Sequence, residues 1–409
     1  LDMNVLPGGV EDLLREVEAF RPEVLGYSMR NIKVGRPGVE EQLVSLDPLR
    51  EPLRRVREAY PGIPIVAGGC AFGLYSDVFM ARMPMIDMGV IGEGEQAFPA
   101  LLEHLDEPQV VPGVVYRDDG EVRGEESVGG RPDFPALDSP DRAGIELSDY
   151  TDREYAIGVQ AKRGCALRCL HCSDLYLTGG QVRRREPAQI VDEIEALVRD
   201  EGVTSFQFVD QVFNLPESHA EAICDEMVRR GLRVRWTAWF TAHGVSERFL
   251  RTAQRSGLTS LQFSPDSTSD PVLRTLRKAE RRDDLVDACR TAKRVGIPVS
   301  FSFFYPNPGE TFRSSIELFV FLARMKLELG NLLWLHGRMI VRTRVYPHSE
   351  LHEMMVRQGL LDADHDLVAP VYWEPEPFRT VEQGIQGVFR RIYDTRLTLK
   401  RLGLAKERR

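Results

Sequence analysis

Three cysteines, Cys165, Cys169 and Cys172, constrain this chain more than any other feature. They lie in the basic loop Lys162-Arg163-Gly164-Cys165-Ala166-Leu167-Arg168-Cys169-Leu170-His171-Cys172, at spacing C-x3-C-x2-C. Half of the chain's 6 cysteines fall in this loop. Thiolates are soft ligands that suit zinc and iron–sulfur clusters. A closed zinc site wants four ligands, and a cubane cluster held wholly by protein wants four cysteines. Three ligands on a four-iron cluster leave one iron open to a ligand that is not protein. The competing reading is a zinc knuckle with His171 as fourth ligand, but Cys169, His171 and Cys172 are too cramped for it. Tyr155 to Ala161 reads as a strand entering the loop. A helix from Ala188 to Val198 follows, with Ile190, Val191, Ile194, Leu197 and Val198 at helical spacing.

This strand, loop and helix resemble the first unit of the radical S-adenosylmethionine (SAM) superfamily. The resemblance implies a 4Fe–4S cluster on Cys165, Cys169 and Cys172. In that family the open iron binds the amino and carboxylate groups of SAM, and reductive cleavage gives a 5′-deoxyadenosyl radical. His171 stands where relatives often carry an aromatic, which implies a place near the adenine.

At 409 residues the chain has room for two or three domains. Its net charge of -9 argues against a general nucleic-acid binder. Clustered cysteines without a secretory signal or membrane span point to a metal site in a reducing, cytoplasmic setting. The sequence begins Leu1-Asp2-Met3-Asn4, in what reads as the end of a strand, so preceding residues are expected.

Residues 1–105 alternate helices and strands: a helix over Val10–Phe20, a strand over Glu23–Ser28, a helix over Leu49–Tyr60, and strands at Ile63–Gly69 and Met88–Ile91. A helix over Ala97–Leu105 follows. This alternation predicts a doubly wound, Rossmann-like parallel sheet with ligands at the carboxyl ends of its strands. Beside the cluster motif, the segment resembles the cobalamin-binding domain that precedes the barrel in one large class of radical SAM enzymes. The resemblance implies contacts to the cofactor from Ser28, Arg30 and Asn31, from Gly68, Gly69, Cys70 and Phe72, and from Gly92, Glu93, Gly94 and Glu95. Glycines at Gly68 and Gly69 would let the backbone approach the ligand. The D-x-H-x-x-G loop of other cobalamin proteins is absent, and no His precedes His104. Either that loop belongs to a preceding segment or the cobalt has no His ligand. Arg30 then either sits beneath the cobalt in a catalytic role or makes a salt bridge at the strand end.

Residues 106–154 read as a connector with a hairpin around Arg117-Asp118-Asp119-Gly120. From residue 155 to 349 the rhythm returns, with strands at Ser205–Asp210, Arg235–Phe240, Ser260–Phe263, Pro298–Phe304 and Gly337–Val345. Six βα units suit a partial (β/α)6 TIM-type barrel, the core of the radical enzymes, better than a closed eight-fold barrel. The remaining residues, 350–409, read as a small C-terminal helical segment with helices over Glu350–Gln358 and Val381–Leu402.

The resemblance carries further residues. Asp210 and Gln211 close the second barrel strand where the family binds the amino group of SAM, although the usual Gly-Gly-Glu is absent. Asp266 and Ser267 close the fourth, where relatives contact the ribose and carboxylate. Lys278 matches a basic residue after that loop or else a solvated helix position. Phe304-Tyr-Pro-Asn-Pro-Gly-Glu310-Thr311 resembles a turn assigned to structure before catalysis, and Tyr346 approaches substrate or packs. The implied activity is cobalamin-dependent methyl transfer from SAM to an unactivated carbon, or to phosphorus, of a small-molecule or peptide intermediate. An electron donor such as flavodoxin or ferredoxin is implied with it. A radical cyclase or oxidative enzyme and a non-catalytic cobalamin- or cluster-binding protein are the alternatives.

Overall fold

The computed structural model describes residues 1–3, 6–30, 46–124, 128–142, 144–147, 150, 155–334, 340–375 and 378. The expected contact Asn31 and the expected helix over Val381–Leu402 lie outside them.

The first sheet is built from β1 (Leu25–Ser28), β2 (Ile65–Gly68), β3 (Met88–Val90), β4 (Val114–Asp118) and β5 (Glu121–Gly124), in that spatial order. β1, β2 and β3 are parallel, with Leu25 opposite Ile65 and Val66 opposite Met88. β2 and β3 are buried along most of their length and are correspondingly apolar. The hairpin expected in the connector is part of this sheet: β4 runs antiparallel to β3, with Gly89 opposite Val115. Val114 and Val115 of β4 are buried against the sheet, and antiparallel strands need only a tight turn between them. The helix after β3 spans Gly94–Glu103, so it starts inside the glycine turn and His104 caps it.

The second sheet has six parallel strands: β6 (Ile157–Val159), β9 (Ser205–Phe208), β10 (Arg235–Phe240), β11 (Leu258–Phe263), β12 (Val299–Phe301) and β14 (Leu333–Trp334), in chain order. It is an open partial barrel, as expected from six βα units. The fifth strand breaks after Phe301, and β13 (Phe303–Phe304) pairs with β15 (Ile340–Val341). The sixth position in the sheet is therefore held by Leu333 and Trp334, earlier than Gly337–Val345, because Leu333 is the residue that buries against β12. β7 (Lys162–Arg163) and β8 (Arg183–Arg184) form a short antiparallel ribbon beside the cysteine loop.

The barrel core is aromatic. Phe208 stacks on Phe213 at 4.3 Å between ring centroids, and Trp236 meets Phe208 edge-on at 5.3 Å. A second core runs from Leu53, Phe72 and Phe79 in the first unit to Leu170 in the cysteine loop and to Val345, Leu351 and Leu367 near the C-terminus. The first sheet and the C-terminal segment therefore share one apolar cluster. The helix Glu350–Arg357 docks there through Leu351 and Met355. Among the described residues no helix is long and apolar enough to cross a membrane.

The turn after β2 shows why its glycines differ. Gly69 has φ 90 and ψ 171, a region that is nearly glycine-only. A Cβ there would lie 2.7 Å from the Met29 carbonyl oxygen, whereas the nearest atom to a Cβ on Gly68 is at 3.9 Å. Gly69 is thus required by the approach of its own neighbouring strand. Gly69→Ala is expected to destabilise the protein by about 2 kcal/mol or more, and Gly68→Ala by less than about 1 kcal/mol. Denaturant unfolding of the two variants checks this, and equal losses would refute it.

Candidate active site

The cysteine loop leaves β6 and is pinned on three sides. Gly164, at φ 83, has room for no side chain, since a Cβ would lie 2.1 Å from the Gln181 carbonyl oxygen. Cys165 N–H donates to the Gly179 carbonyl at 3.2 Å, and Leu170 N–H donates to the Leu276 carbonyl at 3.1 Å. The Leu170 carbonyl accepts from Leu351 N–H at 2.8 Å. Cys165, Cys169 and Cys172 are free thiols, each partly exposed. Burial pushes all three pKa values up, Cys172 to about 12, with Asp174 adding to the effect there. Among the described residues no three Cys, His, Asp or Glu side chains converge on a single metal ion. A four-iron cluster makes no such demand, because each thiolate meets its own iron. Three thiols on one rigid loop fit it.

Behind the loop, Asp210 is 2% exposed. Its Oδ1 accepts the Ala161 and Lys162 amide protons at 2.8 and 3.2 Å. Lys162 is equally buried and its Nζ donates to the Phe213 and Leu215 carbonyls at 2.9 and 2.6 Å. Burial raises Asp210 to about 6, with the Lys162 charge pulling the other way, and lowers Lys162 to about 8. Asp210 Oδ2 and Gln211 Oε1 are buried without a hydrogen-bond partner. Two neighbouring buried acceptors that lack donors fit a ligand ammonium group.

Asp266 follows β11 with φ 66 and is fully buried. Its Oδ1 accepts from Ser264 Oγ at 3.0 Å, and its Oδ2 is ion-paired with Lys278. Lys278 is therefore no solvated helix residue; it also donates to the Ser264 carbonyl at 2.8 Å. Burial works against its charge, but Asp266 and Cys169 outweigh that and hold its pKa above the ordinary value. His171 Nε2 lies 3.6 Å from Asp266 Oδ2, and its ring centroid is 5.1 Å from that of Phe304. Burial lowers the His171 pKa, and Nδ1 is buried without a partner. Ser267 accepts from Ser269 N–H at 3.2 Å and donates to Glu310 at 3.4 Å.

Glu310 went unrecognised in the sequence, where its turn reads as structural. Burial raises it to about 7, against hydrogen bonds from Ser314, Asn307 and Ser267. Asn307 in the same turn donates to the Asp266 carbonyl at 2.9 Å, so the turn and the Asp266 loop form one network.

On the first sheet, Ser28, Arg30 and Cys70 are exposed at the carboxyl ends of β1 and β2. Partial burial of its thiol raises the Cys70 pKa and Asp174 adds to the rise, while Arg30 and Arg163 oppose it. This edge therefore lies beside the cysteine loop. Gly73 packs against Leu177, which follows the loop; a Cβ there would lie 2.8 Å from Leu177 Cδ2.

Several expected cofactor contacts are committed elsewhere. Phe72 is fully buried and stacked on Phe79 at 6.0 Å, with its ring over Gly89, so it belongs to the core. The space at Gly92 is filled by Val128. Gly94 and Glu95 form the first turn of their helix, and Glu93 and Glu95 are ion-paired with arginines. Tyr346 is half-buried, with the Arg344 guanidinium 4.9 Å from its ring and its carbonyl accepting from Ser349 Oγ at 2.7 Å. These contacts serve the junction with the C-terminal segment.

The comparisons agree with this architecture. A model of the radical SAM superfamily matches residues 159–322, and a model of the B12 binding domain matches residues 1–102. An uncharacterized methyltransferase of Pyrococcus horikoshii is 24% identical over 375 residues, covering 88% of this chain and 76% of that protein. The anaerobic magnesium-protoporphyrin IX monomethyl ester cyclase of Cereibacter sphaeroides is also 24% identical, over 64% of this chain but only 44% of its own length. The solved radical SAM methyltransferase TsrM from Kitasatospora setae superposes with a TM-score of 0.70 at 20% identity, over 85% of this chain and 67% of that one. The chain is a radical SAM enzyme with a B12-binding domain ahead of its barrel. Its cofactors are those of the two domains: a 4Fe–4S cluster, SAM and cobalamin.

Glu310 gives the site a pH dependence. Its folded pKa of about 7 lies above the ordinary 4.5, so the folded chain keeps a proton that the unfolded chain releases. Its contribution to stability therefore falls as pH rises from about 4.5 to about 7, by on the order of 3 kcal/mol. Glu310→Gln should remove this slope. Melting temperatures at pH 5 and pH 8 test it: the variant should gain on the wild type at the higher pH, and a constant difference would exclude the effect.

Proposed function

We propose that this enzyme transfers a methyl group from SAM, by way of cobalamin, to a carbon or phosphorus centre of a small-molecule or peptide intermediate. The observation that supports this reading most is the packing of the first domain, whose exposed edge carries Ser28, Arg30 and Cys70, against the segment after the cysteine loop through Gly73 and Leu177. When bound, the cluster supplies the electron for SAM cleavage and cobalamin supplies a carrier for the methyl group. Cys165, Cys169 and Cys172 hold the cluster. Asp210 Oδ2 and Gln211 Oε1 receive the SAM ammonium group. His171, Asp266 and Ser267 frame the nucleoside, with Lys278 fixing the Asp266 carboxylate. Ser28, Arg30, Gly68 and Cys70 form the edge that the corrin covers. A reduced flavodoxin or ferredoxin supplies electrons.

Ring formation by the same cofactors is the second reading, favoured by the similarity to the cyclase. The methyltransferase relative favours methyl transfer because it is matched over more of both chains. Product mass decides between them, since only methylation adds one methylene unit. Anaerobically purified protein should contain iron, sulfide and cobalt. Changing Cys165, Cys169 or Cys172 to Ala should remove the cluster absorbance and SAM cleavage while leaving cobalt in place. A variant that keeps the wild-type iron content would sink the assignment of that cysteine.

Arg30 lies two residues beyond β1, exposed at the sheet edge. A guanidinium stays protonated and has no lone pair for a metal. Placed under the corrin it would leave the cobalt without an axial nitrogen from the protein. The electron paramagnetic resonance spectrum of cob(II)alamin in the wild type should then lack axial nitrogen splitting, and Arg30→His should introduce it. Splitting in the wild type would rule out this role.

A further inference from the structure

The turn after β3 meets the ribbon that carries the cysteine loop. Arg163 and Arg183 are direct partners across β7 and β8. Arg163 stands two residues before Cys165. Like charges placed opposite each other on neighbouring strands repel, and these side chains are only 17% and 12% exposed. Glu93 lies between them, 7% exposed. Its Oε2 accepts from Arg163 Nη1 at 2.9 Å and from Arg183 Nη1 at 3.0 Å, and its Oε1 pairs with Arg183 Nη2. Glu95 completes the charge balance, with its Oε1 2.6 Å from Arg163 Nη2.

Further contacts hold the two arginines, although Arg183 Nε is buried without a hydrogen-bond partner. Arg163 Nε donates to Gln160 Oε1 at 3.0 Å, and its guanidinium lies 4.4 Å from the centre of the Phe134 ring. Arg183 donates to the Pro132 carbonyl at 2.9 Å and the Thr178 carbonyl at 3.3 Å. Both arginines belong to the barrel, whereas the carboxylate that neutralises them comes from the other domain. Neither oxygen of Glu93 is left for a ligand.

We propose that Glu93 is a positioning residue for the iron–sulfur loop, supplied by the cobalamin domain of the same chain. It acts by cancelling the repulsion between Arg163 and Arg183, so the ribbon closes in its cluster-binding form only when the two domains are docked. This rests on the cofactor assignment above. It predicts an asymmetry that a corrin contact would not produce. Losing Glu93 leaves two facing cations with only Glu95 between them and water, whereas losing Arg183 removes the facing cation and leaves Arg163 with both glutamates.

The test uses full-length holoenzyme with anaerobic assay of iron, sulfide and cobalt, together with the rate of cluster loss to a chelator. Glu93→Gln should lower iron occupancy or speed cluster loss by about tenfold while cobalt stays within about twofold of the wild type. Arg183→Gln alone should change the rate by less than about threefold. Arg183→Gln combined with Glu93→Gln should restore most of what Glu93→Gln loses. A Glu93→Gln protein that loses cobalt but keeps its cluster would overturn the proposal, because Glu93 would then be a cofactor contact. So would a double variant as defective as, or as poorly folded as, Glu93→Gln. Wild-type protein that holds iron but no cobalt would instead overturn the cobalamin assignment. The clamp would still be judged by iron occupancy in the three variants.

Discussion

The site depends on a buried carboxylate that holds the base of the cysteine loop. Asp210 ends one strand and binds through a single oxygen the amides of Ala161 and Lys162, which end its neighbour. A buried carboxylate this far from water is tolerated only with donors of this kind. Lys162 extends the anchor, because its ammonium group holds the two carbonyls Phe213 and Leu215 in the next turn. From this anchor the chain passes through Gly164 and presents three thiols. If the base of the loop shifted, all three would move together, which is why the residues behind the loop are packed and hydrogen-bonded more tightly than the cysteines themselves.

A second constraint is the sharing of a core between ends of the chain. Leu170, between two of the cysteines, packs in the same cluster as Phe79 of the first domain and Leu351 of the C-terminal helix. Its amide and carbonyl are both used, one towards Leu276 and one towards Leu351. The loop is therefore wedged among the first domain, the barrel and the C-terminal helix. Such an arrangement gives a loop rich in function the rigidity normally found in a strand. It also explains why the residues after the barrel return to the first domain: they complete its apolar surface and brace the loop.

The features legible in the sequence are those encoded locally. Cysteine spacing identifies the cluster loop, and the strand and helix periodicities give most parallel strands and the longer helices to within a few residues, but not the short helices Cys70–Leu74, Ser76–Arg82, Asp174–Thr178 and Asp270–Thr275. What the sequence conceals depends on partners far along the chain. Glu93 reads as a ligand contact because it sits in a glycine turn at a sheet edge, and nothing local reveals that Arg163 and Arg183 fold against it. Lys278 reads equally well as solvated until the αL turn of Asp266 brings the two together. Phe72 follows a glycine turn, which suggests a ligand; the bare Gly89 on β3 supplies the hollow that draws its ring into the core. Glu310 is hidden by its turn, whose Pro and Gly account for the chain reversal and leave the carboxylate unexplained.

The electrostatics around the cysteine loop follow from these placements. The strand ends of the barrel carry Asp210, Asp266 and Glu310, all removed from water. Each is compensated: Lys162 lies near Asp210, Lys278 pairs with Asp266, and Glu310 keeps its proton up to about pH 7. Arg30 of the first domain and Arg163 of the barrel ribbon both act on the Cys70 thiol. The ion pairs of Glu93 and Glu95 with Arg163 join the two domains, so that carboxylates from one neutralise a guanidinium of the other beside the cysteine loop.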